Sequence, residues 1–531
     1  MTTLFSLFRR SVDEHPDALA IEVQDERLTY TDLSALVDRL AARLADTLGR
    51  SPVSVGLLAS RSLAAYAGYL ATLRLGARVV PLNPAFPPSR TATMCRLGGV
   101  EVLLVDDVPP HYLASLGELV RVAAVVLRTD GGGRWYEDGS LAGSLGGEPP
   151  DDPDAPAYIL FTSGSTGEPK GVSISCRQLV PYLAYARDRY ATGPGCRLSQ
   201  AFDLTFDPSV FDMFVAWTSA AALVVPQPNA MVSPVDFVNR KAITHWFSVP
   251  SVISLAKRLR TLRPGSMPQL RWSLFAGEQL TLAQARAWAA AAPASIVENL
   301  YGPTEMTITC VQYRLPPDQQ DWPETSNGTV PIGQAYPHLE SLVVTGDSAP
   351  GDDGELCLRG PQRFGGYLDP ADNTGRFIRT DQDAITIYDG RSRLTGDYWY
   401  RTGDRVRMEC GGELVHIGRI DQQVKIRGYR IEPGEIESVL RHHPGIEDVV
   451  VVAVPGSDSE PDLHAVYTGV KAVPDELAAR VAGRLPWYMV PRRYHHRPGL
   501  PANASGKIDR RRIAAELVAV TSGTAAPGAA G

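Results

Sequence analysis

The chain has 531 residues, 44% of them hydrophobic and 21% charged, with a formal net charge of −7 at pH 7. That length allows a large domain and at least one smaller one, and the composition is that of a water-soluble globular protein. The acidic balance argues against a nucleic-acid binder, which shows a basic excess or stripe, and no run reaches the ~18 apolar residues of a membrane span.

The six cysteines, Cys95, Cys176, Cys196, Cys310, Cys357 and Cys410, are scattered without a C-x-x-C pair. They suggest neither a zinc site nor a disulfide framework and fit a reducing, cytoplasmic setting. The start "MTTLFSLFRRSVDEHPDALA" has its apolar stretch interrupted by Arg9 and Arg10 and lacks the order of a signal peptide. In "DLSALVDRLAARLADTLG", Leu33, Leu36, Val37, Leu40, Leu44 and Leu48 recur at helical spacing, and Gly49 is a stop. The runs "SVGLLAS", "ARVVPL", "EVLLVDD" and "RVAAVVL", interleaved with helix-like segments, predict a mostly parallel α/β arrangement.

Residues 130–157 are crowded with Gly, Asp and Pro and read as a loop that ends where the strand "AYILF" begins. A further α/β unit runs to about Glu298, and a strand-rich region with the turn signals "GDDGE" and "YLDP" spans about Gly328 to Val415. "GRIDQQVKIRGYR" opens a new pattern, and the helix-like "PDELAARVAGRL" belongs to a separate C-terminal domain of about one hundred residues. The expected division is a large α/β domain with a β-rich subdomain at 1–420, a small α+β domain at 421–515 and a disordered tail, "TSGTAAPGAAG", within 516–531.

One stretch carries chemistry on its face. "YILFTSGSTGEPKGV", from Tyr158, places hydroxyl donors Thr162, Ser163, Ser165 and Thr166 and the permissive Gly164 and Gly167 directly after an apolar strand, with Lys170 adding a positive charge. Such a loop can turn its N–H groups toward an anion, although alone it also reads as an ordinary turn. The spacing is not the Walker pattern, since Gly164 and Gly167 are three apart and Lys170 precedes Gly171.

Further motifs follow in order: "NLYGPTE", "GELCLRG", "YRTGD", "GRIDQQVKIRGYRIEPGEIE" and "NASGKIDR". Together with the Gly/Ser loop, this set resembles the motifs of amino-acid adenylation domains of nonribosomal peptide synthesis, within the adenylate-forming superfamily. The resemblance runs from "LTYTDL" at Leu28 to Lys507. It implies a large N-terminal domain, a small mobile C-terminal domain, and ATP and Mg²⁺ as cofactors. It also implies that Thr162 to Gly167 and Lys170 hold phosphate, that Thr304 donates to the α-phosphate, and that Glu305 is the Mg²⁺ ligand, a normal environment for that ion. Asn299, Tyr301 and Gly302 are further nucleotide contacts, with Tyr301 against adenine. Asp404 accepts both ribose hydroxyls, a role suited to a carboxylate, and Arg419 is a second ribose or phosphate contact. Lys507 bridges substrate carboxylate and phosphate during adenylation, although "SGKID" replaces the commoner "NGKVD". Asp421 is the hinge of the C-terminal domain.

In "FDLTFDPSVFDMF" the second Phe-Asp pair resembles the segment whose Asp pairs with the substrate α-ammonium, since a buried ammonium needs a counter-ion. Asp207 is the expected anchor and Asp203, in the first Phe-Asp pair, the alternative. On that register the side-chain pocket comprises Pro208, Phe211, Ser248, Leu274, Ala276, Leu300, Ile308 and Thr309. Ser248 and Thr309 are its only hydroxyls, which favours a small neutral substrate: serine first, with alanine, glycine, threonine or a small non-proteinogenic relative behind it. Too few residues follow Lys507 for a carrier domain and no condensation domain precedes Leu28. The expectation is therefore a free-standing enzyme that loads the phosphopantetheine arm of a separate peptidyl carrier protein, with an MbtH-like protein as a possible partner. A D-alanine–carrier protein ligase, an acyl- or aryl-CoA ligase and a catalytically silent binding protein are the alternatives. The joint presence of Lys507, Glu305 and Asp404 argues against the last.

Overall fold

The leucine stripe after Thr29 becomes the helix Tyr30–Leu48 because both of its ends are built for it. Thr29 and Asp32 cap each other's backbone N–H groups, and Gly49, at φ 67°, closes the last turn in the left-handed region. Leu33, Leu36, Val37, Leu40 and Leu44 are all buried. The structure, a computed structural model, describes residues 2–24, 26–127, 147, 150–164, 168–227, 230–346, 349–381, 384–409, 411–456, 461–501 and 508–521. Of the tail expected over 516–531, residues 516–521 instead continue the helix Arg510–Thr521, in which Leu517 is buried, and those beyond 521 lie outside the described residues.

Among the described residues the chain divides into two compact units. The first comprises Met1–Pro84, Thr91–Phe161 and Lys170–Asp421, and the second comprises Ala85–Arg90, Thr162–Pro169 and Gln422–Gly531. The first unit is built on three sheets. A six-stranded sheet orders Ala123–Leu127, Val102–Asp106, Ser54–Leu58, Arg78–Leu82, Pro156–Thr162 and Lys170–Ser175, the first five running parallel.

A nine-stranded sheet has a parallel centre, in the order Ile296–Tyr301, Trp272–Phe275, His245–Ser248, Arg197–Ser199, Ala222–Val225 and Leu19–Val23, with antiparallel edges. Parallel strands are covered on both faces, so they read as continuous apolar runs. His245–Ser248 and Trp272–Phe275 are buried at every position. Successive side chains nevertheless go to opposite faces. Phe247 and Leu274 join one core cluster, while Trp246 and Phe275 join another. The third sheet, seven antiparallel strands within residues 340–419, is the strand-rich region expected from its turn signals.

The second unit is α+β. It contains the hairpin Val424–Ile426 and Tyr429–Ile431, the sheet Ile446–Pro455, Pro461–Gly469 and Arg493–His496, and the helices Pro433–Arg441, Pro474–Ala482 and Arg510–Thr521. Ile436, Leu440, Val449, Val451, Leu477 and Val481 form its core. The α/β class with a β-rich subdomain and a small C-terminal α+β domain is the one expected from the sequence. No helix among the described residues is long and apolar enough to cross a membrane.

One ion cluster locks the edge of the nine-stranded sheet. Glu22, on Leu19–Val23, is almost fully buried and meets Arg197 at 2.6 Å, Lys241 at 2.7 Å and Arg27 at 3.0 Å. Burial alone would raise its pKa, but the hydrogen bonds from Lys241, Arg197 and Arg27 outweigh it and hold the carboxyl at about 2. A depressed folded pKa stabilises above the unfolded carboxylate value and is lost as pH falls through the folded one. Glu22→Gln is therefore expected to cost on the order of 2–3 kcal/mol at neutral pH. The gap to the parent should shrink below about pH 4 and close near pH 2, as read by urea unfolding across that range.

Candidate active site

The strand Ile296–Tyr301 delivers the "YGPTE" motif at the C-terminal edge of the parallel sheet, where open α/β sheets bind ligands. Gly302 is required there, since a β-carbon would lie 2.5 Å from the Ile308 carbonyl oxygen and 2.6 Å from the Thr309 Cα. Thr304–Met306 makes one tight turn and Glu305 is fully buried. Its Oε1 accepts a hydrogen bond from the Tyr367 hydroxyl at 2.6 Å, and that hydroxyl also lies 3.3 Å from the Tyr400 hydroxyl. Thr307 and Ile308 follow at φ 58° and 70°. Left-handed backbone at β-branched residues stores about 1–3 kcal/mol each and persists only where the surroundings impose it.

Asp404 is buried in the strand Trp399–Glu409, directly opposite Arg419 in the strand Glu413–Arg419. The Tyr301 hydroxyl donates to its Oδ2 at 2.6 Å, while Arg419 at 3.0 Å and the His416 Nε2 at 3.0 Å meet Oδ1. Burial, and then the Asp404 charge, push the Tyr301 pKa well above its usual value, so the phenol remains a donor. Arg419 also grips both oxygens of Asp421, each at 2.7 Å. Asn299 is buried and donates its amide to the Val330 and Pro331 carbonyls at 3.2 and 2.9 Å.

The phosphate-loop residues divide. Lys170 pairs with Asp372 at 2.7 Å and sits 5.4 Å from the centre of the Tyr367 ring. Thr162, Ser163 and Gly164 fall in the second unit, where the Ser163 hydroxyl donates to the Arg430 carbonyl at 2.8 Å. Ser165, Thr166, Gly167 and Lys507 lie outside the described residues.

The expected anchor, Asp207, is buried at the N-terminus of the helix Pro208–Trp217, with Pro208 in the first turn. Burial first, and then the Asp207 charge, push up the pKa of the Tyr158 hydroxyl. The alternative, Asp203, is committed to its own loop, accepting from Asn83 at 2.8 Å and from the Thr205 N–H and hydroxyl at 3.0 and 2.5 Å. Phe211 packs edge-on against Phe247 at 5.0 Å and Tyr190 at 5.7 Å. Leu274, Ala276, Leu300 and Ile308 belong to the same buried cluster. The Thr309 hydroxyl is engaged by two phenols, Tyr182 at 3.0 Å and Tyr336 at 2.6 Å.

Ser248 does not share that cluster. Its hydroxyl accepts from the Trp246 indole at 2.9 Å, and Trp246 packs in the opposite core cluster. Phe247, one residue earlier on the strand, packs against Phe211, so a phenyl ring and not the Ser248 hydroxyl faces the cluster that holds Phe211. Phe247, His416 and Tyr367 touch the expected site residues Phe211, Asp404 and Glu305 without having been singled out from the sequence. Strand parity relative to the buried Trp246 could have found Phe247. His416 and Tyr367 lie within or beside quoted motifs but carry no spacing signal of their own.

Residues 8–368 match the model of the AMP-binding enzyme family and residues 435–507 that of the AMP-binding enzyme C-terminal domain. The chain belongs to this family. It is an adenylate-forming ligase. Over 524 residues it is 33% identical to the phosphinothricin tripeptide synthetase PhsC of Streptomyces viridochromogenes, matching with 96% of its own length but spanning only 45% of that protein. It is 33% identical to the L-proline–[L-prolyl-carrier protein] ligase of Streptomyces coelicolor over 92% of both chains. Among solved structures, that of IdnL7 is 39% identical, with a TM-score of 0.70 over 97% of this chain and 99% of that one. The Vibrio cholerae adenylation domain AlmE, in complex with glycyl-adenosine-5'-phosphate, is 28% identical with a TM-score of 0.82 over 97% and 98% of the two chains.

The close approach at Gly302 makes a direct test of the loop. In Gly302→Ala the added methyl meets backbone rather than a movable side chain, so a loss of about 1–3 kcal/mol in urea unfolding is expected.

Proposed function

We propose that the protein activates a small apolar α-amino acid with ATP as its aminoacyl adenylate, then passes the aminoacyl group to the phosphopantetheine thiol of a carrier protein. The observation that carries this reading is Asp207, a buried carboxylate at the N-terminus of the helix Pro208–Trp217, whose Phe211 lies in the buried apolar cluster. An α-ammonium entering such a cluster needs a buried anion, whereas a fatty or aryl acid brings no group for it to meet.

In the first half-reaction a carboxylate oxygen of the amino acid bonds to the α-phosphorus and the bond to pyrophosphate breaks. Catalysis here is positioning plus stabilisation of growing negative charge. Asp404, oriented by Tyr301, His416 and Arg419, is the acceptor for the ribose hydroxyls. Tyr301 borders the adenine, and Thr304 donates to the α-phosphate.

Glu305 fits Mg²⁺. Among the described residues no group of three or more acidic, His or Cys side chains is gathered to hold a metal. That ion commonly takes one or two carboxylates, with phosphate oxygens and water completing its shell. When bound, it would neutralise phosphate charge. Tyr367 holds the Glu305 carboxylate in place. Lys507 brings an ammonium to the reacting oxygens, a task suited to a compact charge on a flexible stem. In the second half-reaction the thiol sulfur bonds to the carbonyl carbon and AMP leaves, with Asp421, where the first unit ends, as hinge.

The side-chain pocket is apolar. With Phe247 in place of Ser248, and the Thr309 hydroxyl engaged by Tyr182 and Tyr336, nothing calls for a substrate hydroxyl. Alanine and glycine therefore stand ahead of serine. The glycyl adenylate held by AlmE and the carrier-loading activity named for the prolyl ligase support this reading by similarity.

Amino-acid-dependent ATP–pyrophosphate exchange, run over amino, fatty and aryl acids with and without an MbtH-like protein, tests the proposal. Exchange with one small amino acid supports it, and exchange with an aryl or fatty acid alone overturns it. Asp207→Ala should raise the amino-acid KM by about thirtyfold or more, the scale of losing one partner of a buried ion pair. Phe247→Ala should move the preference toward larger side chains such as leucine by about tenfold in kcat/KM.

A further inference from the structure

The strained turn after Glu305 is held by a buried amide. Gln362 is fully buried in the loop that follows the strand Asp353–Arg359. Its Nε2 faces three backbone carbonyls, those of Met306 at 3.1 Å, Thr307 at 3.1 Å and Thr309 at 2.9 Å. The Thr307 hydroxyl donates back to the Gln362 carbonyl at 2.6 Å. Three acceptors around one end of the amide identify that end as the NH₂, so Oε1 points to the Nε2 of His338 at 2.6 Å. An amide oxygen only accepts, which requires the His338 proton on Nε2.

These contacts bracket the two left-handed residues, Thr307 and Ile308. Without an amide donor the Met306, Thr307 and Thr309 carbonyls lose a shared partner, and the turn loses what opposes its torsional strain. The turn also fixes the distance between two functional ends, with Glu305 on one side and Ile308 and Thr309 on the other.

We propose that Gln362, oriented by His338, is the positioning residue that holds Met306–Thr309 in its left-handed form and so sets the acidic end of the loop against its amino-acid end. This rests on the reading of Glu305 as the Mg²⁺-facing carboxylate and of Ile308 and Thr309 as the amino-acid side.

Gln362→Glu is nearly isosteric but exchanges the donor end for a titratable one. A carboxylate there is repelled by three carbonyl oxygens, while the neutral acid keeps one donor, so burial and the carbonyls raise the new group's pKa. The full chain is assayed by ATP–pyrophosphate exchange with glycine or L-alanine as probe, whichever the parent turns over. The Gln362→Glu KM for the amino acid should be about tenfold or more above the parent at about pH 8.5, with the ratio narrowing toward about pH 6. Gln362→Leu should show a comparable rise that does not change with pH.

A residue that only supports the fold would lower the melting temperature without a pH-dependent KM ratio. Where either Gln362 variant fails to fold by circular dichroism, His338→Phe leaves the loop's own residues intact and should raise the same KM about threefold or more. A folded Gln362→Glu or His338→Phe with the parental KM and pH profile overturns the proposal. A parent with no exchange on any amino acid overturns the reading of the site and the proposal with it, an outcome distinct from an active parent with silent variants.

Discussion

A buried carboxylate that must be fully satisfied organises the first unit. Asp404 is nearly inaccessible to water, and a charge taken that far from solvent is tolerated only with close donors. Those donors come from two sheets. Tyr301 ends the strand Ile296–Tyr301, the last of the parallel run in the nine-stranded sheet, while His416 and Arg419 belong to the antiparallel strand beside Asp404. Satisfying one side chain therefore ties the parallel layer to the β-rich one. The backbone follows the same seam, where Ile332 N–H donates to the Leu414 carbonyl at 2.8 Å and Gly333 bridges to Leu414.

The same two sheets meet again around Glu305. The nine-stranded sheet supplies the glutamate through a tight turn, and residues 360–400 supply Tyr367, Tyr400 and the Gln362 amide. The turn is narrow because Gly302 lets two backbone segments pass closer than any side chain allows. Strain in such a turn persists only because the surrounding groups over-determine it. Aromatic packing does the corresponding work beside the helix Pro208–Trp217, where Phe211 is wedged among Phe247, Tyr190 and Tyr182 at ring separations of 5.0 to 6.4 Å.

Much of this was legible in the chain. The capped helix after Thr29, the parallel runs, the strand-rich region before Val415 and the small α+β domain after Ile431 all follow from periodicity, turn residues and apolar length, which act over a few residues at a time. Asp404 and Arg419 were named from their motifs, whereas their placement opposite each other on adjacent strands is seen only in the structure. Parity and partnership were not legible there. Ser248 and Phe247 are equally apolar-flanked in sequence, and only the strand's pairing and the indole of Trp246 show which one faces Phe211. Asp203 and Asp207 stand in near-identical strings, and only the structure shows that Asp203 accepts from Asn83, more than a hundred residues away.

The sequence by itself determined the family, the α/β class and the chemical inventory, because ordered short motifs and hydrophobic periodicity are local properties of the chain. Only the tertiary structure decided that Asp203 is held by Asn83 and the Thr309 hydroxyl by Tyr182 and Tyr336, which face of a strand looks toward Phe211, and that Gln362 and His338 stand behind the Glu305 turn. Those facts depend on register and on contacts between residues distant in sequence, where a one-residue slip exchanges one face for the other and a single remote donor changes what a side chain is able to bind.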